Sequence, residues 1–149
     1  MIKPVYTLYD KDSGMISQSN IVYNDEKGAY GKILREREQT FINHAGDSYA
    51  SLDKHFVNKK KLTARPEFGI TAETTSIKAS KEGGVVLRGI PKGVRIELYV
   101  IVGGRKHLIQ SEQFDGPEIE VPFDTPGMYA IAFTKHPFRR WETIVEVSE

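Results

Sequence analysis

The sequence predicts an all-β protein: a small N-terminal, hairpin-rich domain followed by an immunoglobulin-like β-sandwich. Three observations support this reading. The second half carries short apolar runs with alternating character, spaced 8–12 residues apart and separated by Gly, Pro and Asp turns, the spacing of a sandwich or barrel. Asp124-Thr125-Pro126-Gly127-Met128-Tyr129 places an acidic residue, a turn glycine and a tyrosine just ahead of the run Ala130-Ile131-Ala132-Phe133. That is the corner at which a sandwich buries a tyrosine ring and returns its hydroxyl to nearby backbone. Finally, Gly103-Gly104 sits between two alternating runs and fits a two-residue hairpin whose central residues need positive φ.

In chain order, Val5-Tyr6-Thr7-Leu8-Tyr9 alternates and is rich in residues that suit a pleated surface. Asp10-Lys11-Asp12-Ser13-Gly14 is a turn, and Met15–Tyr23 returns as the second strand of a hairpin. Asn24–Gly31 reads as a polar loop. The charged stretch Lys32–Thr40 fits either a helical turn or an edge strand, and is read here as strand. Tyr49–Asp53 has no clear assignment. His55-Phe56-Val57 and Leu62-Thr63-Ala64 flank a turn at residues 58–61. Arg65-Pro66 closes this region, because proline drives its predecessor into extended geometry. The domain boundary therefore falls near residue 67, giving a β-rich domain over 1–66 and a sandwich over 67–149.

Beyond that boundary the expected strands are Ser76–Ala79, Val85–Ile90, Arg95–Val102, Lys106–Gln113, Glu118–Phe123, Met128–Thr134 and Trp141–Val147. Period two puts Ile96, Leu98, Val100 and Val102 on one face, opposite Glu97 and Tyr99. It likewise groups Tyr129, Ile131 and Phe133, with Ala130 and Ala132 behind them. Trp141 and Ile144 are expected to help close the core. Tyr129, Trp141, Gly103 and Gly104 are thus the structural residues of the sandwich.

Composition narrows the function classes. With 149 residues, 39% hydrophobic and 28% charged, the chain has ordinary globular composition. Residues 1–66 hold 11 basic and 8 acidic residues, net +3, and residues 67–149 hold 10 and 12, net −2. Neither half has the basic balance of a nucleic-acid binder. The absence of cysteine excludes disulfides, thiolate zinc sites and cysteine nucleophiles. Met1–Tyr6 lacks an apolar signal core, and no apolar run approaches the roughly 18 residues of a membrane span. A soluble protein made in the cytoplasm is expected, with no membrane insertion.

No stretch carries reaction chemistry. Asp10-Lys11-Asp12 opens like a calcium loop, but the twelfth position is Ile21 where a bidentate Glu is required. Glu118 and Glu120 alternate with Ile119 and Val121 and read as the wet face of a strand. His44, His55, His107 and His136 show no metal-ligand spacing. Gly28-Ala29-Tyr30-Gly31 and Gly83-Gly84 lack the βαβ context of a dinucleotide site. The reading is therefore non-enzymatic, with no catalytic residue, metal or cofactor. Two features fit partner binding. Tyr6, Tyr9, Tyr23 and Tyr30, with Tyr49, are concentrated in the first half, and tyrosine favours interfaces; they equally fit that domain's own core. Arg139-Arg140, beside Trp141, fits an acidic partner surface.

The opening Tyr6, Leu8, Tyr9, Asp10, Ser13, Gly14 and Ile16 matches the pattern Y-x-L-Y-D-x-x-T/S-G-x-I. With the Arg65-Pro66 junction, Gly89-Ile90-Pro91-Lys92-Gly93, Pro126-Gly127-Met128-Tyr129 and His136-Pro137-Phe138 ahead of Trp141-Glu142, it resembles small tail-associated structural proteins of tailed bacteriophages. Residues 32–54 depart from that pattern. The resemblance implies a virion component of a tail tip, baseplate or fibre-attachment region, present in multiple copies on a symmetric assembly and docked to other tail proteins. The N-terminal tyrosines and strand edges would make the contact and the sandwich would act as a rigid adaptor. A host-surface glycan-binding module and a fibre-assembly chaperone are the alternatives.

Overall fold

The computed structural model describes residues 4–23, 25–45 and 54–149. Within them the protein is all-β apart from one two-turn helix and a 3₁₀ turn. The chain divides into two compact units, Met1–Pro66 and Glu67–Glu149. Tyr49, the stretch to Asp53, and Asn24 lie outside the described residues.

In the first unit β1 (Pro4–Tyr9) is the centre of a three-stranded antiparallel sheet, flanked by β2 (Ile16–Ile21) and β3 (Phe41–Ala45). The β1–β2 turn is tied by the Asp10 carboxylate, which accepts hydrogen bonds from the Asp12 and Ser13 amides at 3.0 and 2.8 Å. These bonds hold the Asp10 carboxyl below its ordinary range, first through the Ser13 amide. Gly14 ends this turn at φ +75°, and a Cβ there would sit 2.0 Å from the Val57 carbonyl oxygen. That closeness lets the Val57 amide donate to the Gly14 carbonyl at 2.8 Å, joining the turn to β4 (His55–Asn58). β4 pairs with β5 (Lys61–Ala64) across the two-residue turn Lys59-Lys60. Both lysines have positive φ, 50° and 61°, a conformation in which a side chain carrying Cβ is strained.

The stretch read as strand over Lys32–Thr40, and the end of the loop read over Asn24–Gly31, are corrected here. A 3₁₀ turn at Glu26–Gly28 leads into α1 (Ala29–Glu36), and β3 follows at Phe41. Tyr30 and Leu34 are four apart, so a helix puts both on one face, and both pack on Tyr6 and Leu8 of β1. A strand would have set that burial against a neighbouring charge at every second position.

In the second unit β6 (Thr71–Ala72), β8 (Val85–Arg88) and β11 (Glu118–Val121) form a sheet in the order β11-β8-β6. β7 (Ser76–Lys78), β9 (Val94–Val102), β10 (Arg105–Phe114), β12 (Gly127–Thr134) and β13 (Trp141–Ser148) form a second, ordered β10-β9-β12-β13-β7. All pairings are antiparallel except β7 with β13. Between Ala72 and Ser76 the chain passes from the first sheet to the second. Residues of both sheets share one apolar cluster, including Val85, Leu87 and Val121 from one side and Ile96, Tyr129, Ile131, Phe133 and Val145 from the other. A core between two sheets accounts for the alternation along β9 and β12.

Gly103 and Gly104 form the β9–β10 turn with φ 60° and 75°. The Tyr129 hydroxyl donates to the Thr125 carbonyl at 2.8 Å, and its ring lies 4.6 Å from Phe123. Trp141 is only half-buried, at the edge of the cluster, 5.7 Å from the Phe133 ring. Two apolar expectations change: Val102 is 61% exposed and Ile144 is exposed, the first because β9 outruns the facing sheet, the second because it points away from it.

Two outcomes test these assignments. Replacing Lys59→Asn with Lys60→Gly should stabilise the first unit by roughly 1–2 kcal/mol by relieving two strained backbones, read by chemical denaturation. Tyr129→Phe should cost the second unit about 0.5–1.5 kcal/mol through the lost hydroxyl bond; an unchanged unfolding curve would contradict the corner.

Candidate interaction surface

Register decides which side chains leave the core. Ile131 pairs with Leu98 and Phe133 with Ile96, both facing inward, so Ala130, paired with Tyr99, and Ala132, paired with Glu97, face outward. On β13 the outward partners are Ile144 and Glu142. On β10 they include Lys106, opposite Ile101, and Leu108, opposite Tyr99. The outer face of the five-stranded sheet is thus an aromatic and charged set around two alanines.

These side chains form one connected lattice. Arg140 donates to the Tyr99 hydroxyl at 3.2 Å and lies 3.5 Å from both Glu97 and Glu142, with its guanidinium 5.6 Å from the Tyr99 ring centre. The Tyr99 hydroxyl donates in turn to Glu97. Lys106 pairs with Glu142 although β9 and β12 lie between their strands, so the contact crosses the face where Ala130 and Ala132 leave room. Both alanines are fully buried despite facing outward. Burial works against the Arg140 charge, but the Tyr99 hydroxyl and the Glu97 and Glu142 carboxylates outweigh it and raise its pKa further. Exposed ion pairs contribute roughly 0–1 kcal/mol each, so the lattice orders a surface more than it holds a fold together. Beside it Leu108, Met128 and Ile144 are exposed apolar side chains of the same face. Period two had separated Glu97 and Tyr99 from the core, but nothing local links them to Arg140, Glu142 and Lys106.

The sequence-selected partner residues divide. Tyr6 is 1% exposed, which removes it as a docking residue. Its ring meets Tyr30 edge-on at 4.9 Å and its hydroxyl donates to Asp25 at 2.5 Å. Burial first, then Asp25, pushes the Tyr6 hydroxyl up to about 12. Tyr30 and Tyr9 are half-buried and pack against the two small clusters of the first unit. Tyr23 is 64% exposed and keeps a surface position. Arg139 pairs with Glu67 at 3.4 Å, beside a hollow of about 320 Å³ lined also by Phe68, Arg140 and Trp141. Arg140 belongs to the lattice.

An open groove of about 150 Å³ is lined by Leu98, Ile119, Gln110, Glu112 and Glu120, among others. Among the described residues no group of three His, Cys, Asp or Glu side chains could hold a metal, and no helix is long and apolar enough to cross a membrane. Comparison with protein families, curated proteins and solved structures returned no match.

In the first unit Thr7 is a fully buried polar residue whose hydroxyl lies 3.0 Å from Ser19 Oγ and 2.7 Å from His44 Nε2. Burial, then the neighbouring His55, holds His44 below its ordinary 6.5. A lowered folded-state pKa means the unfolded chain takes the proton first. Stability is therefore full above about pH 6.5 and falls as pH drops through the folded-state value. Asp25, lowered by the Tyr6 hydroxyl and the Tyr30 amide, acts in the same sense at lower pH. Unfolding of the first unit, followed by NMR at Tyr6, should show a first loss of stability just below pH 6.5. His44→Gln should abolish that step and leave the acidic one.

Proposed function

We propose that this chain is a non-enzymatic structural adaptor that works by protein–protein docking, in the setting its resemblance implies: the tail of a tailed bacteriophage, at the tip, baseplate or fibre attachment. The observation that carries the docking reading is the outer face of the five-stranded sheet. Exposed apolar side chains, Leu108, Met128 and Ile144, set around an ordered polar lattice give this face the mixed apolar and polar make-up of an interface. Lattice side chains already fixed by one another lose little freedom when a partner lands on them, which lowers the entropic cost of binding.

We read the scaffold as an immunoglobulin-like sandwich. The two sheet orders, the passage of the chain between sheets ahead of β7, and the Tyr129 hydroxyl bond support that reading. On such a scaffold the outer sheet face is rigid, and many copies on a symmetric tail would add avidity to a modest single contact.

The test is mass spectrometry of purified particles of the phage encoding the chain, with Met128→Asp and Ile144→Asp variants beside the wild type. The wild-type chain should be retained in mature particles. The variants should fold but lose docking by about 2 kcal/mol or more, and so be depleted from particles. Wild-type chain present during assembly and missing from finished particles would replace the adaptor with a chaperone; variants retained at full occupancy would move the contact elsewhere.

A further inference from the structure

We infer that the β10 edge pairs with the β10 edge of a second copy of this chain, antiparallel and about a twofold axis, joining two five-stranded sheets side by side. This goes beyond the adaptor reading and stands apart from it, since it concerns the sheet edge and a like partner.

β10 is the outermost strand of its sheet and, at ten residues, the longest among the described residues. Every residue from Arg105 to Gln113 is exposed, and Leu108 and Ile109 are each 54% exposed at its middle. Such an edge presents a row of backbone donors and acceptors about 33 Å long, a template for another strand. Edge charges commonly keep strands apart. Here they are sorted by sign: Arg105 and Lys106 stand at one end and Glu112 near the other. Parallel pairing of two copies would oppose like charges. Antiparallel pairing brings each basic end to the other copy's acidic end, twice by symmetry.

The bulge sets the register. Leu108 pairs with Tyr99 and Gln110 with Leu98, so Ile109 is an extra residue on β10. In a regular strand, residues nine apart point to opposite faces. The extra residue resets the alternation, and Arg105, His107, Glu112 and Phe114 all fall on the inner-face side, opposite Val102, Val100, Ile96 and Val94. A twofold axis between Ile109 and Gln110 then sets His107 opposite the second copy's Glu112, Leu108 opposite its Ser111 and Arg105 opposite its Phe114, each pair on a matching face. Arg105 lies diagonal to that Glu112, a separation of about 7–8 Å that long side chains span.

The experiment is sedimentation equilibrium of the full chain and of Arg105→Glu, Glu112→Lys and the double variant, each checked for a native melting curve. We expect a dimer for the wild type, about tenfold weaker association for each single reversal, and recovery in the double variant, where swapped charges meet again. Hydrogen exchange of the wild type should show β10 amides gaining protection as concentration rises, a readout that needs no variant. A monomer throughout, a dimer indifferent to the single reversals, a double variant as weak as the singles, or β10 amides insensitive to concentration would each overturn the pairing. A monomer would leave docking by the sheet face untouched, because that contact uses side chains of the outer face, tested at Met128 and Ile144, and not the backbone edge of β10.

Discussion

One strand, β12, is buried on both faces, and the second unit is organised around it. Tyr129, Ile131 and Phe133 fill the space between the sheets, while Ala130 and Ala132 lie under the Arg140–Glu142–Lys106 lattice on the other side. The inward side chains supply apolar burial at roughly 1.5–3 kcal/mol apiece. The two alanines matter for their smallness. They let charged side chains from β13 and β10 approach over the sheet, turning an outer surface into an ordered one. A larger residue at Ala132 would lift that lattice and leave Glu142, half-buried, without Lys106.

The second unit was largely legible because period two and turn chemistry agree along its length. Gly103-Gly104 and the Tyr129 run match an observed turn and strand, whereas Gly127, read as a turn glycine, opens β12. The two-residue β6 escaped notice: Thr71-Ala72 is too short for any period to register. In the first unit, Lys32–Thr40 misled because its charges mask the four-residue spacing of Tyr30 and Leu34, which only the Tyr6 ring on β1 turns into a helix face. The tyrosines could be read as surface or core, and at Tyr6 burial and the bond to Asp25 decide for core, while Tyr23 stays at the surface. The lattice on the sheet face was not legible at all, since Glu97, Tyr99, Lys106, Arg140 and Glu142 meet only through strand order.

The two units use opposite strategies. The first has little aliphatic material and relies on aromatic rings with satisfied hydroxyls, a carboxylate-tied turn and a close backbone contact at Gly14. Such polar ties make it responsive to pH. The second relies on apolar burial between sheets and places its charges outside, where they shape a surface.

Amide hydrogen exchange resolved along β12 tests that picture most directly. Ala130 to Phe133 should be the slowest-exchanging amides of the second unit, opening only with global unfolding. Exchange there as fast as in the edge strands β7 and β10 would mean that β12 is not the keel of the unit, and both the core and the surface built on it would have to be abandoned.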